Sequence, residues 1–134
     1  MSEAKAKILV VDDQPGIRRL LTEVFSEEGY RVAAAANGYE GIQKVKDFQP
    51  DLILMDMKMP GMDGIETLRE LKSMGRANRV IMMTAYGELE LVNQAQQLGA
   101  FSYITKPFDI IALCSMVSEQ LVGRGNADCQ LKIG

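Results

Sequence analysis

The sequence predicts an α/β fold: five βα units in succession, forming a doubly wound five-stranded parallel sheet with helices on both faces. Three observations carry this. Short apolar, β-branched-rich runs begin at residues 8, 31, 51, 79 and 101, about 20–28 residues apart, which is one strand, one helix and two short loops. The segments between them carry helical signals. The first, third and fourth runs are apolar almost throughout, as central parallel strands covered on both faces must be. Alternation of this kind gives a parallel sheet with right-handed crossovers.

The elements follow in order. Strand one is Ile8-Leu9-Val10-Val11. Helix one places Ile17, Leu20, Leu21, Val24 and Phe25 at i, i+3, i+4, i+7 and i+8, with Pro15 suited to its first turn and Gly29 to its stop. Strand two is Arg31-Val32-Ala33-Ala34-Ala35, and Asn37-Gly38 is a loop signal after it. Strand three is Asp51-Leu52-Ile53-Leu54-Met55; Met62-Asp63-Gly64 is a turn signal, and Ile65, Leu68 and Leu71 stripe the third helix. Strand four is Arg79-Val80-Ile81-Met82-Met83, followed by a weakly periodic helix over 88–98 that ends at Gly99. Strand five is Phe101-Ser102-Tyr103-Ile104-Thr105. Asp109 is a good N-cap for the last helix, which stripes Ile110, Leu113, Val117 and Leu121. The domain spans 6–122, and the polar, glycine-punctuated ends 1–5 and 123–134 are expected to be loose.

Composition bounds the chemistry. A chain of 134 residues with 47% hydrophobic and 25% charged residues reads as one ordinary globular domain. Its two cysteines, Cys114 and Cys129, have no metal spacing and make no disulfide framework. No signal-like stretch or bilayer-length apolar run occurs, so a cytoplasmic protein with no membrane partner is expected. There is no histidine, which removes histidine-dependent triads, histidine-ligated metals and any phosphohistidine of the chain's own. A net charge of −3 leaves no electrostatic footprint for nucleic acid.

Ligands of open α/β sheets bind beyond the carboxyl ends of the strands. There the sequence places Asp12-Asp13 after strand one, Asp56 after strand three, Thr84-Ala85 after strand four and Thr105-Lys106-Pro107 after strand five. Clustered carboxylates repel unless a cation joins them, and a set without thiol or imidazole asks for a hard, oxygen-preferring ion. Mg²⁺ takes one or two carboxylates and leaves places for phosphate oxygens. An aspartate carboxylate can attack phosphorus, and Lys106 and Thr84 could neutralise and bind the transferred group. The same residues fit other chemistries poorly. An aspartate-nucleophile phosphatase wants a second acid two positions on, where Lys58 stands, and the 56–61 stretch lacks the alternating oxygen ligands of an EF-hand. There is no GxGxxG or Walker A loop. Met55, Met82 and Met83 lie in strands and read as core; Met57, Met59 and Met62 flank Asp56, where they could touch a partner. Cys114, beside the last helix's stripe, reads as a buried hydrophobe.

KILVVDDQ at 7–14, LILMDMKMPGMDG at 52–64, MTAYG at 83–87 and YITKPFD at 103–109 carry a resemblance. Over about residues 6–122 the chain resembles the receiver domain of two-component response regulators. The resemblance implies a flavodoxin-like sheet of order 2-1-3-4-5. It implies Asp56 as phosphoacceptor and Asp12, Asp13, Asp56 and the Lys58 carbonyl as holders of Mg²⁺. It implies Thr84 and Tyr103 as switch residues, Lys106 as the phosphoryl-binding lysine, and a cis bond before Pro107. Among stand-alone receivers the chain is most similar to the sporulation-initiation phosphorelay type, with two departures: Pro15 stands where that type has tyrosine, and Tyr103 where it has histidine.

Three functions follow as expectations. The first is a phosphorelay carrier, a phosphotransferase in the loose sense. It would be a monomer that takes a phosphoryl group from a sensor histidine kinase and passes it to a histidine phosphotransferase. An aspartyl-phosphate phosphatase is a further possible partner. The others are a terminal switch of the chemotaxis kind and the N-terminal receiver of a longer transcriptional activator. Partner contacts are expected from Gln14, Pro15, Gly16, Ile17, Leu20 and Leu21 at the first helix, and from Tyr86, Pro107 and Phe108. One or two of the apolar residues of that helix should stay exposed beside the site.

Overall fold

A computed structural model describes residues 6–85 and 87–122. β1 (Lys7–Val11), α1 (Pro15–Glu27), β2 (Arg31–Ala35), α2 (Gly38–Phe48), β3 (Leu52–Asp56), α3 (Gly64–Ser73), β4 (Val80–Ala85), α4 (Leu89–Gln97), β5 (Ser102–Lys106) and α5 (Ile110–Val122) follow one another, with one 3₁₀ turn, Ala77–Arg79, before β4. The five strands form one parallel sheet in the order β2-β1-β3-β4-β5. The expected loose ends, 1–5 and 123–134, lie outside the described residues.

The side-chain period of two divides each central strand between two cores. Ile8, Val10, Leu52, Leu54, Ile81 and Met83 face one side and pack with Leu21 and Phe25 of α1 and Leu113 and Val117 of α5. Leu9, Val11, Ile53, Met55, Val80 and Met82 face the other and pack with Val45 of α2, Ile65, Leu68 and Leu71 of α3 and Ala95 of α4. This is why the stretches Ile8–Val11 of β1, Leu52–Met55 of β3 and Val80–Met83 of β4 are apolar without interruption. β2 and β5 are edge strands and only partly covered, and Tyr103 and Thr105 of β5 are exposed.

The strands run slightly further than the apolar runs suggest. Asp56 pairs with Met83, and Ala85 with Lys106, so parallel ladder bonds continue into the polar rim. Two loop signals turn out to start helices. Asn37 caps α2 by accepting from the Glu40 amide at 2.9 Å. Asp63 and Glu66 form a reciprocal capping box on α3. Asp109 accepts from the Ile111 amide at 2.9 Å, as its N-cap reading requires.

Gly64 places α3 hard against the strand that carries Asp56. A methyl group there would lie 2.6 Å from the Asp56 carbonyl oxygen and 2.8 Å from the Met57 Cα. The Gly64 amide donates to the Met57 carbonyl at 2.9 Å, which closes the loop beyond Asp56. Met57 and Met59 in that loop are buried in the α2–α3–α4 core, which removes them as partner contacts; Met62 is half-buried. Cys114 is half-buried against the α1–α5 core, and burial pushes its thiol pKa up, with the charge of Glu28 adding to the shift.

Candidate functional site

The strand order reverses direction between β1 and β3, and the crevice at such a switch point is where open sheets bind ligands. Asp12 and Asp13 follow β1, and Asp56 ends β3, so all three carboxylates stand at this crevice. One oxygen from each lies within 4.8 Å of the others. Asp12 is completely buried, Asp56 is nearly so, and Asp13 is exposed.

Asp12 and Asp56 are held by their surroundings. The Asp12 amide donates to the Ala35 carbonyl at 3.1 Å, and Asp12 Oδ1 accepts from the Gln14 amide at 2.9 Å. Lys106, the last residue of β5, reaches across β4 into the crevice. Its Nζ donates to Asp12 Oδ2 at 2.8 Å and stands 3.5 Å from Asp56 Oδ1. The peptide bond from Lys106 to Pro107 is cis, as the resemblance implied.

These distances set the electrostatics. Burial raises the Asp56 pKa from 3.8 to about 6; the Asp12 charge also raises it, and the Lys106 ammonium pulls it back. Burial alone would lower the Lys106 pKa, but its hydrogen bond to Asp12 and the charges of Asp56 and Asp12 outweigh that and raise it. Lys106 is therefore a fixed cation. At neutral pH Asp56 is mostly ionised, against the opposition of burial and the Asp12 charge. The three carboxylates supply the hard oxygen donors that a divalent cation takes, and a second cation would relieve the repulsion that Lys106 only partly cancels.

Thr84 ends the buried part of β4, and its hydroxyl donates to the Ile104 carbonyl at a long 3.5 Å. A bond of that length is weak and cheap to exchange. Tyr103 sits on β5 opposite Met82, on the α4 side of the sheet, with 39% of its surface exposed. Neither side chain bonds to the carboxylates. Lys58 stands two residues beyond Asp56 and sends its ammonium away from the cluster, 3.2 Å from Glu88 Oε2.

The expected partner contacts divide. Gln14, Pro15 and Gly16, which follow Asp13, and Pro107, which follows Lys106, are exposed; Leu20 is exposed further along α1, and Ile17 and Phe108 are half-buried against the α1–α5 core. Leu21 is not available: it is fully buried between α1 and the sheet. It lies about 100° around the helix from Leu20, enough to move a side chain from rim to core. Leu20, 42% exposed, is the large apolar residue that α1 leaves exposed among the described residues. Tyr86 lies outside the described residues.

Two residues that hold the rim escaped the sequence reading. Arg18 donates through Nη1 to the Asp12 carbonyl at 2.8 Å. Glu88 accepts from the Ala85 amide at 2.8 Å and pairs with Lys58, which ties the loop after β4 to the loop after β3. Glu88 follows Ala85 at the three-residue spacing of a capping contact, a usable signal. The reach of Arg18 back over six residues has no such spacing.

The comparisons with known proteins agree with this geometry. Residues 8–118 match the family described as the response regulator receiver domain. Sporulation initiation phosphotransferase F of Bacillus subtilis (strain 168) is 50% identical over 120 residues, 90% of this chain and 97% of its own. Chemotaxis protein CheY of Halobacterium salinarum is 38% identical over 86% of this chain and 96% of its own. The solved receiver domain of the Francisella response regulator 1452 superposes with a TM-score of 0.83 at 29% identity, over 90% of this chain and all of its own. The chain belongs to the response regulator receiver domain family.

Proposed function

We propose that this chain is a phosphorelay carrier, in which Asp56 takes a phosphoryl group from a phosphohistidine of a sensor kinase and gives it to a histidine of a phosphotransferase. The observation that carries the reading is the meeting of Asp12, Asp13, Asp56 and Lys106 at the switch point of the sheet, with Asp56 at its rim. The 50% identity to Sporulation initiation phosphotransferase F supports relay over other receiver roles, and its name supports sporulation control as the process. Sensor kinases work from cytoplasmic ATP, so the reading puts the chain in the cytoplasm.

In the forward step an Asp56 oxygen forms the new P–O bond as the P–N bond to the partner's imidazole breaks. The imidazole leaves with the bonding pair and takes up a proton. This chain has no histidine, so both donor and final acceptor belong to partners. Mg²⁺, held by Asp12, Asp13 and Asp56 with the Lys58 carbonyl, would neutralise charge on the phosphoryl oxygens. Lys106 is already poised between Asp12 and Asp56 and binds a phosphoryl oxygen by a shift of its ammonium. Thr84 exchanges its long bond to Ile104 for another oxygen of the group. Tyr103 follows inward, and the phosphoryl group biases a pre-existing two-state equilibrium. Partners approach over the first turn of α1 and the loop before α5. The reading assigns partner contacts to Gln14, Pro15, Gly16, Ile17, Leu20, Tyr86, Pro107 and Phe108; an aspartyl-phosphate phosphatase would use the same approach. The likeness to Chemotaxis protein CheY favours one second reading, a terminal switch that binds a target when phosphorylated.

The test is intact-mass measurement after incubation with a small phosphodonor, with and without Mg²⁺. The reading expects one added phosphoryl group that depends on Mg²⁺ and is lost in Asp56→Ala. An Asp56→Ala protein labelled at the same rate would overturn it.

A further inference from the structure

Arg18 is half-buried on the first turns of α1, close to the acidic crevice, yet it makes no ion pair with any carboxylate of the described residues. Its guanidinium instead donates to a backbone carbonyl, that of Asp12, at 2.8 Å. Asp12 is fully buried, so this carbonyl would otherwise be an acceptor cut off from water. The same residue's amide is fixed to Ala35, and its carboxylate to Gln14 and Lys106. The Arg18 amide donates to the carbonyl of Gln14, the N-cap of α1, at 3.1 Å, the ordinary bond of a first helical turn, so it is the side chain that ties the helix start back to the end of the strand.

The Asp12 carbonyl and the Asp13 amide belong to one planar peptide unit. Holding that carbonyl fixes the plane, and the plane sets where the Asp13 side chain leaves the backbone. Asp13 is exposed, and among the described residues no hydrogen bond of its carboxylate holds it at the cluster, so its place within 4.8 Å of Asp12 and Asp56 depends on its backbone. We infer that Arg18 is a positioning residue for the cation-holding carboxylates: by anchoring the Asp12–Asp13 peptide it aims Asp13, and because it bonds a backbone carbonyl it takes up no carboxylate oxygen itself. The inference rests on the proposed role of Asp12, Asp13 and Asp56 in holding Mg²⁺.

The sign of the effect separates positioning from charge. Arg18 is a cation near a cation site, so Coulomb's law alone says that removing it tightens Mg²⁺ binding. Positioning says the reverse. Mg²⁺ affinity is measured by calorimetry on the full chain for wild type, Arg18→Met, Arg18→Lys and Arg19→Met, with the Asp13 amide followed by NMR and folding checked by thermal melts. Arg18→Met is expected to bind Mg²⁺ roughly tenfold more weakly, the usual cost of losing a group that orients a ligand. Arg18→Lys keeps the charge but loses the planar fork, and should fall between Arg18→Met and wild type. Arg19→Met, an exposed neighbour with the same charge loss, should bind as tightly as wild type or slightly more so. The Asp13 amide resonance should move in both Arg18 variants without Mg²⁺ present. Arg18→Met binding Mg²⁺ as tightly as wild type or more tightly overturns the inference and leaves the relay reading intact. Wild-type protein with no saturable Mg²⁺ binding sensitive to Asp13→Ala overturns the metal part of that reading, and the inference with it.

Discussion

Asp56→Asn should make the metal-free protein more stable. Burial and the neighbouring Asp12 raise the Asp56 pKa from 3.8 to about 6, so ionising this carboxylate costs the folded state free energy that the unfolded chain does not lose. At 1.36 kcal/mol per pH unit the cost at neutral pH approaches 3 kcal/mol; water at the rim side of the carboxylate reduces it to about 2 kcal/mol. Asparagine keeps the shape and an oxygen for Lys106 but removes the charge. For a domain of this size about 2 kcal/mol raises Tm by roughly 5–10 °C. The sign with pH follows. Between about pH 4 and 6 the folded wild type binds more protons at Asp56 than the unfolded chain, so wild-type stability falls as pH rises through this window and does not recover above it. The gap between Asp56→Asn and wild type should therefore be widest at pH 7.5 and close toward pH 4. Urea melts in a chelator at both pH values measure it. An Asp56→Asn protein no more stable than wild type at pH 7.5, or a gap equal at both pH values, would refute the reasoning.

Three further outcomes are expected. Leu21→Ala should cost about 2–5 kcal/mol in a urea melt because it empties a fully buried position, whereas Leu20→Ala should cost under about 1 kcal/mol and instead weaken binding of a histidine phosphotransferase. Gly64→Ala should destabilise by about 1–3 kcal/mol, read in the same melts, because its methyl group meets the Asp56 carbonyl and the Met57 Cα. The Tyr103 ring, exposed in this structure, should change its NMR environment when a stable phosphoryl mimic is added, and an unchanged ring would remove Tyr103 from the switch.

The parts of the molecule legible in the sequence are those where one residue's chemistry decides its place. Ile8 to Val11, Leu52 to Met55 and Val80 to Met83 are apolar without interruption because both faces of the sheet are covered, so the central strands announce themselves. The carboxylates were legible for the opposite reason: charged residues directly after such strands have few structural uses, and Lys106 stands at the same end of its own, edge strand. What the sequence hid depends on rotation and reach. Leu20 and Leu21 share one apolar stripe, and only packing against the sheet decides that Leu21 enters the core and Leu20 does not. Met57 and Met59 follow Asp56 in a loop, and their burial depends on Gly64 drawing α3 against the strand. The Arg18 contact spans strand end, loop and helix start, and no local spacing encodes it.

The most direct test of the account is to load Asp56 with labelled phosphoryl, add a histidine phosphotransferase from the same cell, and follow the label. The relay reading predicts passage onto the partner's histidine, dependent on Mg²⁺ and abolished by Asp56→Ala. Label that only hydrolyses to free phosphate, while the phosphorylated chain binds a target lacking such a histidine, would contradict it and favour the terminal switch.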